Sequence, residues 1–128
     1  MRAMLASRYG VPEPFIVAEY GMTELSSQLW ESTLAETLTG RVGARRLLAP
    51  GWMRVMPVSP DALAPIAGPA EGLFRLDDMV NLDTIAAIQT SDRVVRCEDG
   101  FLVLGRAEGA TPRGCSIAAD TLLGGHET

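Results

Sequence analysis

Six short apolar runs, separated by turn residues, fill the chain from Arg45 to Ala107: "RRLLA", "WMRVMPV", "GLFRLDD", "IAAIQTSD", "RVVRC" and "FLVLGRA". Such spacing favours a mainly antiparallel, strand-rich fold. The firmest local signal is Asp99-Gly100 between "RVVRC" and "FLVLG", because Asp-Gly flanked by β-forming residues marks a hairpin. The segment from Pro57 to Gly72 holds four of the eight prolines and reads as a loop joining a second hairpin.

Upstream of Gly43 the texture differs. Met1 to Tyr9 has good helix formers and stops at Gly10, Pro12 and Pro14, which predicts one or two helical turns. Phe15 to Glu19, "FIVAE", is a short apolar run with the character of a buried strand. Leu25 to Leu38 holds helix-compatible pieces in a polar setting. Beyond the last β-like run, "AEGATPRG" reads as a loop and "CSIAADTLL" returns to a helix-compatible pattern.

The 128 residues suit one domain, which at this size buries roughly two thirds of the surface its unfolded chain exposes. A hydrophobic content of 47% fits a folded protein. The net charge of −5 and the thin spread of basic residues argue against a nucleic-acid groove, since Arg41, Arg45 and Arg46 form the only basic cluster. No apolar run is long enough to span a bilayer and the first residues do not form a signal peptide, so a cytoplasmic protein with no membrane partner is expected. In that setting Cys97 and Cys115 are expected as reduced thiols. His126 is the sole histidine, which excludes a Ser-His-Asp triad or a histidine-rich metal site within this chain.

Polar signals gather at the ends of the β-like runs: "EYGMTE", "EGLFRLDD", "IQTSDRV", "DGFLVLGRAEG" and "RGCS". Strand ends are where mixed folds place ligand sites. Taken singly, Thr23 and Glu24 could cap a helix, Asp92 could be a turn aspartate and Arg106 a surface ion-pair partner. Taken in order, the set resembles the adenylate-forming superfamily of acyl-CoA synthetases, adenylation domains and firefly-type luciferases, which join a carboxylic acid to AMP. "YGMTE" is similar to that family's aromatic-Gly-x-Thr-Glu motif. The resemblance implies that Tyr20 stacks near the adenine with Gly21 beside it, that Thr23 contacts the phosphate, and that Glu24 holds Mg²⁺. It also implies that Asp92 accepts the ribose hydroxyls and that Arg106 sits near ribose or phosphate. Glu71-Gly72-Leu73 loosely resembles the glycine-rich element before the strand that leads to the aspartate. The chemistry is coherent, since a glycine admits close backbone approach and hard oxygen ligands suit Mg²⁺ and phosphate.

Within that superfamily the chain is most similar to the acyl-protein synthetases of bacterial fatty-acid reductase systems that supply aldehyde for bioluminescence. The stretches that carry this are "AAIQTSDRV" and "DGFLVLGRAEGATPRGCS". The resemblance implies ATP and Mg²⁺ as cofactors, a fatty or other carboxylic acid as substrate, Cys115 as the nucleophile that takes the acyl group as a thioester, and an acyl-accepting reductase as partner. Arg113, two residues before it, would favour the thiolate. Cys97, inside a β-like run, reads as structural. Two other readings stay open: an acyl- or aryl-CoA ligase segment passing the acyl group to a diffusible thiol, and a non-catalytic remnant that binds nucleotide or a partner chain.

The family's glycine- and Ser/Thr-rich phosphate loop lies well upstream of its "YGMTE"-like motif, and only nineteen residues precede Tyr20 here. No lysine is present to serve as the lid lysine of larger members. The expectation is therefore an α+β, strand-rich fold corresponding to the C-terminal part of an adenylate-forming core. Residues 1–43 would end an α/β subdomain and residues 44–128 would form a strand-rich one. Such a fragment is expected to expose strand edges, to self-associate or pair with a separate N-terminal chain, and to adenylate weakly unaided.

Overall fold

The computed structural model describes residues 1–41 and 43–110. Ten elements appear in it: helices α1 (Arg2–Tyr9) and α2 (Thr33–Leu38), a 3₁₀ turn (Glu13–Phe15), and strands β1 (Glu19–Tyr20), β2 (Leu29–Glu31), β3 (Leu47–Leu48), β4 (Met53–Val58), β5 (Glu71–Asp78), β6 (Ala87–Arg96) and β7 (Phe101–Arg106). All seven strands join one antiparallel sheet in the order β1-β2-β3-β7-β6-β5-β4. The class is α+β and strand-rich, as the spacing of the apolar runs predicts.

The chain lays down β1 to β3, crosses to the far edge for β4, and returns through β5 and β6 until β7 meets β3 at Leu47 and Phe101. On β4 and β5 the side chains alternate as a half-buried sheet requires. Met53, Val55 and Pro57 pair across the ladder with Asp78, Leu76 and Phe74 on the inner face, all of them buried. On the outer face Arg54 lies opposite Asp77, and Arg75 also reaches that carboxylate. Leu29, Met53, Val55, Phe74, Leu76, Val94 and Phe101 form the core, and Tyr20, Met22, Leu25, Leu47 and Ala49 pack around it. Phe74 is the centre, with no exposed surface and with the rings of Tyr20 and Phe101 at centroid distances of 5.2 and 5.5 Å.

Both predicted hairpins form. The proline-rich stretch links β4 to β5, and the Asp99-Gly100 stretch links β6 to β7, with Arg96 opposite Phe101. The physical role of Gly100 differs from the usual one. The connection runs from Cys97 to Gly100, and Gly100 is not among the glycines with positive φ. A Cβ there would lie 2.6 Å from the carbonyl oxygen of Leu47, so Gly100 is what lets β3 come alongside the turn. Gly10 does serve conformation: at φ 64° it ends α1 in the left-handed region.

Three local expectations are corrected. "FIVAE" is not a continuous strand: Pro12 and Pro14 draw Glu13–Phe15 into a 3₁₀ turn, and the ladder begins only at Glu19. Alongside β2 the backbone N–H of Ala18 instead donates to the Glu31 carboxylate at 2.8 Å. The stretch from Leu25 to Leu38 divides into a loop, β2 and the short α2, because Leu29 and Glu31 turn inward while Trp30 turns out. "IAAIQTSD" and "RVVRC" fuse into the single long β6, which carries a register shift at Arg93 and Val94. Across the expected boundary near Gly43, β2 pairs with β3, so the sheet runs through both segments.

Candidate functional site

Tyr20 ends β1, and its ring packs edge-on against Phe74 with an interplanar angle of 64°. That contact aims the hydroxyl along the sheet, where it donates to Asp92 Oδ2 at 2.6 Å. Asp92 stands on β6 directly opposite Arg106 on β7, whose Nη1 donates to Asp92 Oδ1 at 3.3 Å. Two residues from two other strands thus converge on the Asp92 carboxylate, although Tyr20 and Asp92 are 72 positions apart.

The electrostatics of the group are defined. Burial is the chief cause holding the Tyr20 phenol protonated above its ordinary range; the Asp92 hydrogen bond and charge add to it, against smaller opposing effects of Thr90 and Arg106. Tyr20 is therefore a neutral donor throughout the physiological range. Among the described residues the Nε of Arg106 is buried without a hydrogen-bond partner, although the side chain as a whole is 34% exposed. A buried guanidinium N–H without an acceptor is costly, whereas the exposed part of the Arg106 side chain stays open to a ligand oxygen.

Two residues that the sequence does not single out as site residues, Thr90 and Phe74, steady this group. The Thr90 hydroxyl donates to the Phe74 carbonyl at 3.0 Å and accepts the Asp92 backbone N–H at 3.1 Å. It thereby ties Asp92 to the same residue that backs Tyr20. The sequence signal for Thr90 is a hydroxyl two positions before an aspartate, a local turn pattern. Phe74 has none beyond its place in an apolar run.

Thr23 and Glu24 lie on the exposed turn that follows β1, where the Thr23 hydroxyl donates to Glu24 Oε2 at 3.0 Å. No helix begins there, which rules out the helix-cap alternative; the chain next becomes helical at Thr33. Among the described residues no hydrogen bond or ion pair joins Thr23 or Glu24 to Tyr20, Asp92 or Arg106. Gly21 joins the two groups, with Glu19 Oε1 and Gln28 Cγ at 2.8 and 3.0 Å from where a Cβ would stand. Both neighbours are flexible side chains.

No set of three or more His, Cys, Asp and Glu converges among the described residues, so a divalent ion here would find one carboxylate, Glu24, beside one hydroxyl. That donor set fits Mg²⁺, which keeps most of its waters and takes one or two carboxylates together with substrate phosphate. Glu71 opens β5 and pairs with Arg93 on the outer face, away from this group. Cys97 is half-buried and its backbone N–H donates to Gly100 at 2.8 Å, closing the hairpin turn. Arg113 and Cys115 lie outside the described residues. Among the described residues no helix is long and apolar enough to cross a membrane. No family model and no curated protein matches the chain.

Proposed function

We propose that the chain carries the nucleotide-facing half of an ATP-dependent acyl-protein synthetase site. The observation that supports this is the hydrogen bonding of Tyr20 and Arg106, drawn from separate strands, to the Asp92 carboxylate. In this reading the Asp92 carboxylate, already accepting from Tyr20 and Arg106, uses its remaining lone pairs for ribose hydroxyls. The partly exposed Arg106 guanidinium would meet a ribose or phosphate oxygen. Thr23 would donate to the α-phosphate and Glu24 would hold Mg²⁺, whose chemistry there would be to neutralise phosphate charge.

The reaction has two steps. A carboxylate oxygen of a fatty acid attacks the α-phosphorus, the bond to pyrophosphate breaks, and acyl-AMP forms. The Cys115 thiolate then attacks the acyl carbon, AMP leaves, and the acyl group stays on sulfur as a thioester for a reductase. A reducing, cytoplasmic setting suits a thiol with this role. The acid pocket and phosphate loop would come from a further segment or a separate chain.

Calorimetric titration with ATP and Mg²⁺ tests the nucleotide half. Binding that disappears in Asp92→Ala and Glu24→Ala supports it, and no binding to the wild type overturns it. Mass spectrometry after incubation with a fatty acyl-adenylate tests the thiol: an acyl adduct on Cys115, absent in Cys115→Ser, is expected.

A further inference from the structure

Asp78 is fully buried at the end of the inner face of β5, in line with Phe74 and Leu76, where the alternation calls for an apolar side chain. No arginine reaches it among the described residues. Instead its Oδ2 accepts the backbone N–H of Ser26 at 3.0 Å, and its Oδ1 accepts the Ser27 hydroxyl at 3.0 Å and the Val80 N–H at 3.3 Å. The Ser27 oxygen in turn accepts Trp52 Nε1–H at 3.0 Å. Three positions on, the buried Asn81 donates from Nδ2 to the carbonyls of Glu24 and Ile85 at 2.8 and 3.1 Å. Its Oδ1 accepts the hydroxyls of Ser26 and Thr84. Carbonyls can only accept, so the amide orientation follows from its partners.

A charge buried without a cation is expensive unless donors surround it. Here every donor and acceptor engaged by Asp78 and Asn81 on the far side belongs to Glu24, Ser26 or Ser27, the residues that follow Thr23. These bonds span more than fifty positions of sequence and reach the loop from the end of β5. Met22 and Leu25 anchor the two sides of the turn against the core, but Thr23 and Glu24 between them are exposed, and one backbone bond, Leu25 N–H to the Met22 carbonyl at 3.1 Å, closes the turn.

We propose that Asp78 and Asn81 are positioning residues that hold the Thr23–Glu24 turn in its phosphate-facing shape, with the Asn81 amide on the Glu24 carbonyl as the direct grip. This rests on the reading of Thr23 and Glu24 given above. It adds that the geometry of those residues is set from β5 and the turn after it, not from their own strand.

Amide hydrogen exchange on the full chain, with Asn81→Asp and Asn81→Ala, is the test. Asn81→Asp keeps the acceptor for Ser26 and Thr84 and removes the donor to the carbonyls of Glu24 and Ile85. Exchange of the Leu25 and Ser26 amides is expected to quicken roughly tenfold in both variants, with the β5 and β6 amides unchanged. Affinity for ATP with Mg²⁺ is expected to weaken by a similar factor of about ten. Unchanged exchange at Leu25 and Ser26 overturns the proposal, and so does quickening shared equally by β5 and β6, which marks general destabilisation. Wild-type affinity retained by Asn81→Asp also overturns it. If the wild type binds no ATP while the loop amides still quicken alone, the nucleotide reading fails and the grip on the loop stands.

Discussion

The two ends of the sheet are built by different means. From β4 to β7 the strands run six to ten residues and register side chain against side chain across almost their full length. From β1 to β3 they run two or three residues, and the backbone between them is held largely by side chains: Glu31 on Ala18, Arg2 on Glu31 and Ile16, Asp78 on Ser26. Long ladders supply many local backbone bonds and bury a continuous apolar face. Short strands cannot, so order there depends on a few buried polar groups. The candidate site sits where the two meet, with Tyr20 from the short-strand end and Asp92 and Arg106 from the long.

Phe74 joins the two ends, and its loss should break the comparison most severely. Phe74→Ala removes the ring that both Tyr20 and Phe101 pack against, and a loss of about 4 kcal/mol is expected in denaturant unfolding. Nucleotide affinity should fall with it. An unfolding midpoint close to wild type would show that the core does not pass through this residue.

Arg2→Ala probes the short-strand end alone. It takes the guanidinium from Glu31, whose side chain is only 4% exposed, and leaves it Ala18 N–H and Arg45 at 3.7 Å. Because Arg2 itself is 27% exposed, the expected cost is about 2 kcal/mol, below that of a fully buried pair. Exchange of amides in α1 and β2 should rise before those of β5. Uniform change across the sheet would contradict the division.

Tyr20→Phe removes the hydroxyl that crosses between the ends, at a cost of about 1.5 kcal/mol for a hydrogen bond to a charged acceptor. The pH dependence carries its own sign. The folded state holds the phenol protonated above its ordinary range, so its contribution is complete below roughly pH 10, where an unfolded tyrosine ionises. It is lost as pH climbs through the raised folded value. The stability difference between wild type and Tyr20→Phe should therefore narrow above about pH 10. A difference constant with pH would show that the phenol is not buried against Asp92.

Arg93→Ala is the smallest expected effect. Its hydrogen bond holds the Glu71 carboxyl below the usual range, yet both groups face solvent on the outer side of β5 and β6. The unfolding midpoint should not move measurably, because exposed pairs are screened. A clear loss would mean that the outer face of the long strands is covered by something else.

What the sequence determined by itself is the long-strand end. The alternation in "WMRVMPV" and "GLFRLDD", the proline-rich connector and the Asp99-Gly100 hairpin are all set by interactions between near neighbours, and a period of two is visible in a single run. Tyr20, Asp92 and Arg106 each lie in a short polar stretch at the end of a β-like run, and the hydrogen bonds of Tyr20 and Arg106 to Asp92 join three strands that no single run contains. Only the tertiary structure decided that "FIVAE" begins with a 3₁₀ turn, that Leu29–Glu31 is a strand, and that Gly100 is needed for clearance under Leu47. It alone showed that an aspartate and an asparagine past the end of an apolar row hold a loop more than fifty positions away. Those outcomes turn on partners distant in sequence, and a short strand or an exposed turn has too few local contacts to choose its conformation without them.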